Sequence, residues 1–332
     1  MNALVLHNAG EPLRWEDVPE PELAADDVLV RIKAAALNRR DLWIQRGQYA
    51  GLKFPIIPGS DGSGIVVKTG ADVDPDQLGR EVVIYPVFSW GDHSDYQGKD
   101  FRILGLPDNG TLAGFVRVKK ANLFDKPPHL NWEQAAALPL AGLTAYRALF
   151  TKAKVQKGDT VLISGVGSGT GLFALQWAVA AGCRVFVTSG NSGKLEKARS
   201  LGAAGGVNYT SQDWVQQLEL LSGGFDVIID SALGEGFASF PDLAKPGGRI
   251  VFFGGTAGNI PELNGRKIFW KQLQILGTTM GSPDDFGAML DLLNKNRIEP
   301  VIDEVFHASE GEQAMKKLDD SSRFGKIVLR VS

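Results

Sequence analysis

The chain has 332 residues, 44% hydrophobic and 22% charged, with a formal net charge of −3. This is globular composition, long enough for about two domains with a core each. The absence of a basic stripe argues against a nucleic-acid partner. No stretch nears the roughly 18 apolar residues that span a bilayer, and the start lacks the basic and apolar regions of a signal peptide. The single cysteine, Cys183, excludes an intramolecular disulfide and a cysteine-based zinc site. The expectation is a cytoplasmic protein that acts on a small molecule.

Residues 1–125 predict a β-rich domain, with strands at 1–7, 28–37, 64–69, 81–86 and 114–119 separated by Pro and Gly clusters. A helical turn is expected near 40–46. After Lys126-Pro127-Pro128 the pattern changes. Asn131 with Gln134 predicts a capping box for a helix at 132–137. Pro139 is expected to break that helix, with helix resuming at 143–150. From Gly158 apolar strands and helices alternate: strands at 160–164, 184–188, 206–209, 225–230, 249–253 and 274–279, helices at 169–181, 193–201, 213–221, 237–243 and 284–294. Apolar strands alternating with helices imply a parallel sheet covered on both faces. The tail predicts a strand at 303–306, a helix at 310–318 and a last strand at 326–331 that pairs with the first domain. The domains are therefore expected at 1–125 with 298–332, and at 126–297.

The sharpest motif is Gly165-Val-Gly-Ser-Gly-Thr-Gly171, between the strand at 160–164 and an apolar helix. A glycine-rich turn lets backbone approach a pyrophosphate, and the helix N-terminus offers it free N–H groups and a positive dipole end. Gly165, Ser168, Gly169, Thr170 and Gly171 are thus candidate cofactor-binding residues. Ser168 has a hydroxyl to lend to a phosphate. A NAD-preferring site places Asp or Glu about 20 residues later, on the ribose 2′-OH. Here Ser189-Gly-Asn-Ser-Gly-Lys194 carries no acid. Ser189, Asn191, Ser192 as helix N-cap, and Lys194 suit a 2′-phosphate instead. NADP(H) is therefore favoured over NAD(H), the alternative for Lys194 being a solvated helix lysine.

Several further motifs, in order, cover nearly the whole chain: Asn38-Arg-Arg-Asp41, Ile57-Pro-Gly-Ser-Asp-Gly-Ser-Gly64, Ala135-Ala-Ala-Leu-Pro-Leu-Ala-Gly-Leu-Thr-Ala-Tyr146, Val207-Asn-Tyr209, Gly247-Gly-Arg-Ile-Val-Phe-Phe-Gly-Gly255 and Phe324-Gly-Lys-Ile-Val-Leu329. Together they resemble the medium-chain dehydrogenase/reductase family, and the glycine turn resembles its quinone oxidoreductase branch, where Ser168 departs from the usual glycine. The resemblance implies an α/β protein with a GroES-like β-rich catalytic domain and a Rossmann domain, the active site lying between them. It also implies that Asn38 and Thr144 line the nicotinamide end, and that Tyr209, Phe253, Gly254 and Lys326 approach the cofactor. Zinc-bearing members take their metal at positions that here read Asn38, Ser60 and Leu140, a poor ligand set. The segment expected to hold a second, structural zinc has no cysteine, and His93 with Asp92 and Asp95 is at most a weak metal group. No zinc is therefore expected.

Hydride transfer without a metal needs hydrogen-bond donors for the developing oxyanion. Asn38 is a candidate with two N–H groups, the alternative being a structural turn residue. Asp41 either positions Asn38 or a water, or caps a helix. The expected function is an NADPH-dependent reductase of a quinone, enone or related activated carbonyl. The alternatives are an alcohol dehydrogenase with a degenerate metal site, and a cofactor-binding protein with little turnover. The apolar strand at 274–279 reads as a sheet edge that pairs two subunits in a homodimer.

Overall fold

The computed structural model describes residues 1–331. They form two compact units: Met1–Ala141 together with the segment from Gly281 onward, and Gly142–Met280.

The first unit is built on a seven-stranded sheet. Its order is Ile302–His307, Lys326–Arg330, Asp27–Ala36, Asp61–Thr69, Glu81–Ile84 and Leu123–Asp125, with Phe115–Lys119 also paired to Asp27–Ala36. The pairings are antiparallel except that of Ile302–His307 with Lys326–Arg330. Asp27–Ala36 is central, and most of its side chains are buried. The last strand does return to the first part of the chain, with Val328 opposite Ala36.

The unit boundaries differ from those expected at 126 and 298. Helix Trp132–Ala137 forms with its capping box: Asn131 Oδ1 accepts from Gln134 N at 2.8 Å, and Gln134 Oε1 accepts from Asn131 N at 3.1 Å. Its Ala136 and Ala137 pack with Ala34, Ala36 and Val328 of the sheet. Small side chains on both surfaces let the helix lie close. Helix Pro283–Asn296 likewise belongs here, because Phe286 packs on Phe124 and Tyr85 at ring distances of 4.8 and 5.3 Å. Apolar packing, invisible to local patterns, thus draws 126–141 and 281–297 into the first unit.

The second unit is a six-stranded, wholly parallel sheet. Its order is Gly205–Asn208, Arg184–Ser189, Thr160–Ile163, Phe225–Asp230, Ala244–Phe252 and Gln274–Gly277. In chain order this is 3-2-1-4-5-6, the doubly wound arrangement, in which ligands bind at the carboxyl ends of the strands near the reversal of order. The central strands are buried on both faces, as their unbroken apolar runs predict.

Three helices differ from expectation. Pro139 does not break a helix but opens one, Pro139–Tyr146. Proline is harmless in a first turn, where its missing N–H has no helical partner. The helix expected at 237–243 is two short ones, Gly234–Phe237 and Phe240–Leu243, the second carrying Pro241 in its first turn. Helix Gly265–Trp270, unforeseen, is capped by Asn264. No helix among the described residues is long and apolar enough to cross a membrane.

Close approach of the two central strands of the first unit makes one glycine stringent. A Cβ on Gly64 would stand 2.2 Å from the carbonyl oxygen of Arg31. Backbone cannot swing aside as a flexible side chain can. Gly64→Ala should therefore lower unfolding stability by about 1–3 kcal/mol, read as a lower urea midpoint at unchanged slope.

Candidate active site

The glycine turn of the second unit lies at the end of strand Thr160–Ile163 and opens helix Gly169–Ala180. Gly165 and Gly167 have φ of 65° and 128°, which side chains rarely adopt. A Cβ on Gly165 would meet nothing within 4 Å, so the turn presents bare backbone to open space. Ser168 is the helix N-cap, its Oγ accepting from Gly171 N at 3.1 Å. Its own hydroxyl hydrogen remains to donate to a phosphate. Gly169, Thr170 and Gly171 form the first helical turn.

The turn is braced by residues that no motif announces. Gly165 N donates to Thr188 Oγ1 at 3.0 Å, and Val166 N to Thr188 O at 2.8 Å. The Ser164 hydroxyl donates to Asp230 Oδ1, while Asp230 Oδ2 accepts from the backbone N–H groups of Ala232 and Leu233. These partners lie 23 and 66 residues from the turn in sequence. Only the folded sheet brings them under it.

At the end of strand Arg184–Ser189 the helix cap is Asn191, not Ser192. Asn191 Oδ1 accepts from Gly193 N at 2.8 Å and Lys194 N at 3.3 Å. Ser192 is the first helical residue and is exposed. Ser189 is buried, and its Oγ accepts from Asn191 N at 3.2 Å, bracing the strand end. Lys194 lies across the glycine turn, since a Cβ on Gly167 would stand 3.1 Å from its ammonium nitrogen. Tyr209 is half exposed and covers Gly190, where a Cβ would stand 3.0 Å from the phenol oxygen. Phe253 N donates to Asp230 O at 3.2 Å. Gly254 presses so close to Ser231 that a Cβ would stand 2.5 Å from its carbonyl oxygen. Because the sheet is parallel, all these residues collect along one edge, at the carboxyl ends of its strands.

The first unit holds a buried polar cluster around Asp61. Asn38 Nδ2 donates to Asp61 Oδ2 at 2.9 Å. Lys326 Nζ donates to Asn38 Oδ1 at 2.6 Å and to Asp61 Oδ2 at 2.8 Å. Leu140 N donates to Asp61 Oδ1 at 2.8 Å. Asn38 therefore keeps one N–H, not two, for a substrate oxygen. Lys326 is held by Asn38 and Asp61, which leaves its ammonium one further N–H. Asp41 is fully buried, with Oδ2 accepting from Asn38 N at 2.7 Å and Oδ1 from Gly59 N at 3.3 Å. Both oxygens are spent on backbone, so Asp41 caps helix Arg39–Gln45 and is not a catalytic group. Burial pushes its carboxyl above the usual carboxylate range, against the pull of the Arg40 charge. Thr144 sits in the other unit, buried on helix Pro139–Tyr146.

Comparison with known proteins agrees with both units. An alcohol dehydrogenase GroES-like domain model matches residues 24–128, and a zinc-binding dehydrogenase model matches residues 169–295. A zinc-type alcohol dehydrogenase-like protein of Leptosphaeria maculans is 33% identical, the alignment covering 96% of this chain and 95% of that one. The chain belongs to the medium-chain dehydrogenase/reductase superfamily. A crotonyl-CoA reductase of Streptomyces avermitilis is 29% identical over 95% of this chain and 81% of its own length. The crystal structure of an NAD-dependent alcohol dehydrogenase superposes with a TM-score of 0.94 at 36% identity, over the whole of both chains. Like these members of the superfamily, the protein is an oxidoreductase that works with a nicotinamide nucleotide. The bare glycine turn fits such a cofactor. Its N–H groups and Ser168 would hold the pyrophosphate, and the cofactor would supply or accept the hydride.

The zinc in the name of the matching model does not fit the side chains present. Ser60 Oγ accepts from Arg40 Nη1 at 2.7 Å and donates to Leu104 O at 2.8 Å. Asn38 is bound by an ammonium, and the Leu140 side chain has no donor atom. A divalent cation here would meet two fixed cations, Arg40 and Lys326, before any thiolate or imidazole. The one cysteine, Cys183, is in the other unit, its thiol pushed up by burial to about 11. No group of three or more His, Cys, Asp or Glu that could hold a metal occurs among the described residues. Elemental analysis of the purified protein should accordingly find far less than one zinc per chain, and a chelator should leave turnover intact.

Proposed function

We propose that the protein is an NADPH-dependent reductase of quinones, enones or related activated carbonyls that works without zinc. The observation that carries this reading is the cationic hydrogen-bond cluster, Arg40 and Lys326 around Asn38, Ser60 and Asp61, two of whose members, Asn38 and Ser60, stand where the family resemblance implies metal ligands in zinc-bearing members. A carbonyl or enone that accepts hydride leaves negative charge on oxygen. Fixed N–H donors in a dry site stabilise such charge without reorganising. The remaining N–H of Asn38 and that of Lys326 have the right polarity for it. Similarity to a protein named for reducing crotonyl-CoA, an α,β-unsaturated thioester, supports an enone-like acceptor.

The cofactor preference rests on the end of strand Arg184–Ser189, where no acid waits for a ribose 2′-OH and Lys194 extends over the turn. An ammonium and exposed Ser192 suit a 2′-phosphate. A second reading, NAD-dependent alcohol oxidation, is favoured by the similarity to the alcohol dehydrogenase structure. Assaying NADPH and NADH oxidation over a panel of quinones, enones and aldehydes, beside alcohol oxidation with NAD and NADP, separates the two. Turnover of quinones or enones with NADPH is expected. Alcohol oxidation confined to NAD would overturn the proposal. Lys194→Ala should weaken NADPH by about 1.5–3 kcal/mol, the worth of a charge-assisted hydrogen bond, and barely change NADH. Equal losses in a titration of both cofactors would refute the 2′-phosphate role.

We also propose a homodimer joined through the edge of the parallel sheet. Among the described residues, strand Gln274–Gly277 has a strand neighbour on one side only, Ala244–Phe252. Phe269 and Trp270, in the helix just before it, are 67% and 82% exposed. Two such edges can pair antiparallel about a two-fold axis. Ile275 packs on the core of its own unit, so Ile275→Lys would disturb folding as well as assembly. Trp270→Glu is the cleaner probe. Light scattering should give twice the chain mass for the wild type and a shift toward one chain mass for Trp270→Glu.

A further inference from the structure

At the carboxyl end of the parallel sheet, the second unit holds a buried charge that its own hydrogen bonds do not require. Asp230 ends strand Phe225–Asp230 and is 3% exposed, the one buried carboxylate of this unit among the described residues. Oδ1 accepts from the Ser164 hydroxyl, and Oδ2 from Ala232 N at 3.0 Å and Leu233 N at 2.7 Å. All three partners are neutral, and Asp230 forms no ion pair among the described residues. An asparagine would serve the same groups, its oxygen accepting from the two N–H groups and its amide donating to Ser164 Oγ. The glycine turn begins one residue after Ser164, so a carboxylate there also repels the pyrophosphate that the turn is built to hold. Burying an unpaired charge is costly in itself. A cation brought by the ligand would offset both costs.

The sheet order reverses between strands Thr160–Ile163 and Phe225–Asp230, and a doubly wound sheet binds the two halves of a dinucleotide across that reversal. Lys194, lying over Gly167, belongs with the half on strands Thr160–Ile163, Arg184–Ser189 and Gly205–Asn208. The nicotinamide half then falls to the other three strands, of which Phe225–Asp230 is the first. Asp230 is fixed in place there. Leu233, whose N–H it binds, has φ 59° and ψ −134°, a backbone conformation that costs energy and persists only when its surroundings hold it. The loop after Asp230 is laced to the loop after Phe252. Phe253 N donates to Asp230 O at 3.2 Å, Ala257 N to Ala232 O at 2.9 Å, and Gly234 N to Gly258 O at 3.2 Å. A charge held this way acts without reorienting.

We propose that Asp230 sets the redox balance of the bound nicotinamide nucleotide, its carboxylate shifting binding toward the oxidised form. The oxidised nicotinamide ring is a cation. A hydride, one proton with two electrons, forms a C–H bond on the ring and leaves it neutral. A fixed anion on that side of the sheet favours the cation through its field, without contact. The reduced nucleotide becomes a stronger hydride donor. This rests on the nucleotide site of the second unit and not on the identity of the substrate. It goes beyond the reductase reading and fits it, since hydride leaves the cofactor and a cation remains.

The test is binding without substrate. Calorimetry gives dissociation constants of the oxidised and reduced forms for wild type and Asp230→Asn, using the NADP or the NAD pair, whichever binds more tightly. In Asp230→Asn the ratio of the oxidised to the reduced constant should rise on the order of tenfold, a common worth for one charge acting on another in a partly screened interior. Tenfold corresponds to a potential about 30 mV higher for the bound two-electron couple. ADP-ribose, with its 2′-phosphate where the NADP pair is used, has the pyrophosphate and no nicotinamide. It should bind Asp230→Asn at least as well as wild type, because the repulsion at the turn is gone. A purely structural brace would instead weaken ADP-ribose and both cofactor forms alike. That result, or an unchanged ratio, overturns the proposal. Should Asp230→Asn fail to fold, Ser164→Ala decides. It leaves the carboxylate with one donor fewer, so the ratio should fall, and an unchanged or higher ratio overturns the proposal. If the wild type reduces no carbonyl yet Asp230→Asn raises the ratio, the reductase reading falls and the role of Asp230 stands.

Discussion

A carboxylate with no access to water must be neutralised by its neighbours, and in the first unit that requirement falls on Asp61, which is fully buried. Its two oxygens take donors from Asn38, Leu140 and Lys326, residues 23, 79 and 265 positions away. Its backbone carbonyl takes a fourth, the Thr111 hydroxyl at 2.7 Å. One side chain therefore ties the cap of the first helix, the opening of helix Pro139–Tyr146 and the start of the last strand to the strand that Asp61 itself begins. Removing one member of a buried ion pair typically costs about 3–5 kcal/mol. The groups that would face a substrate and the groups that close the fold are thus the same.

The second unit solves a different problem. Its turn must expose backbone N–H groups and yet stay put, and glycine supplies the first at the expense of the second. Rigidity is restored from beneath by Thr188 and by the Ser164–Asp230 pair, each on a neighbouring strand. Parallel pairing brings these strand ends to one level, so a brace from either side can reach the turn. Preorganisation of this kind lets a bound anion be gripped without ordering a loop at the moment of binding.

Locally encoded features were legible in the sequence. The helix Trp132–Ala137 was readable because a capping box lies within four residues, and the strand Phe225–Asp230 because it carries the β-branched apolar run Val227-Ile228-Ile229. The glycine turn was readable from its setting between strand and helix. What escaped was decided by contacts distant in the chain. Asp61 and Arg40 carry no spacing signal, since their partners, Asn38, Leu140 and Lys326 for the one and Ser60 and Leu104 for the other, are scattered along the chain. Lys326 was singled out by family position alone, and its bonds to Asn38 and Asp61 carried no sequence signal. Asp41 left two readings open, and the two backbone N–H groups it accepts select the cap. The choice between Asn191 and Ser192 as helix cap turned on one residue of register, which composition cannot resolve when both neighbours are good caps.

The contact between Gly190 and Tyr209 bears on how the cofactor preference of this lineage can change. An acid that recognises a ribose hydroxyl belongs at the end of the second strand of the sheet, and Gly190 is the first residue beyond it. Any side chain at 190 would press on the Tyr209 phenol. A change of nucleotide therefore cannot arrive by one substitution at that position without displacing an aromatic ring that covers it. The two residues are coupled: a side chain at 190 asks the half-exposed Tyr209 ring to shift by a few tenths of an ångström.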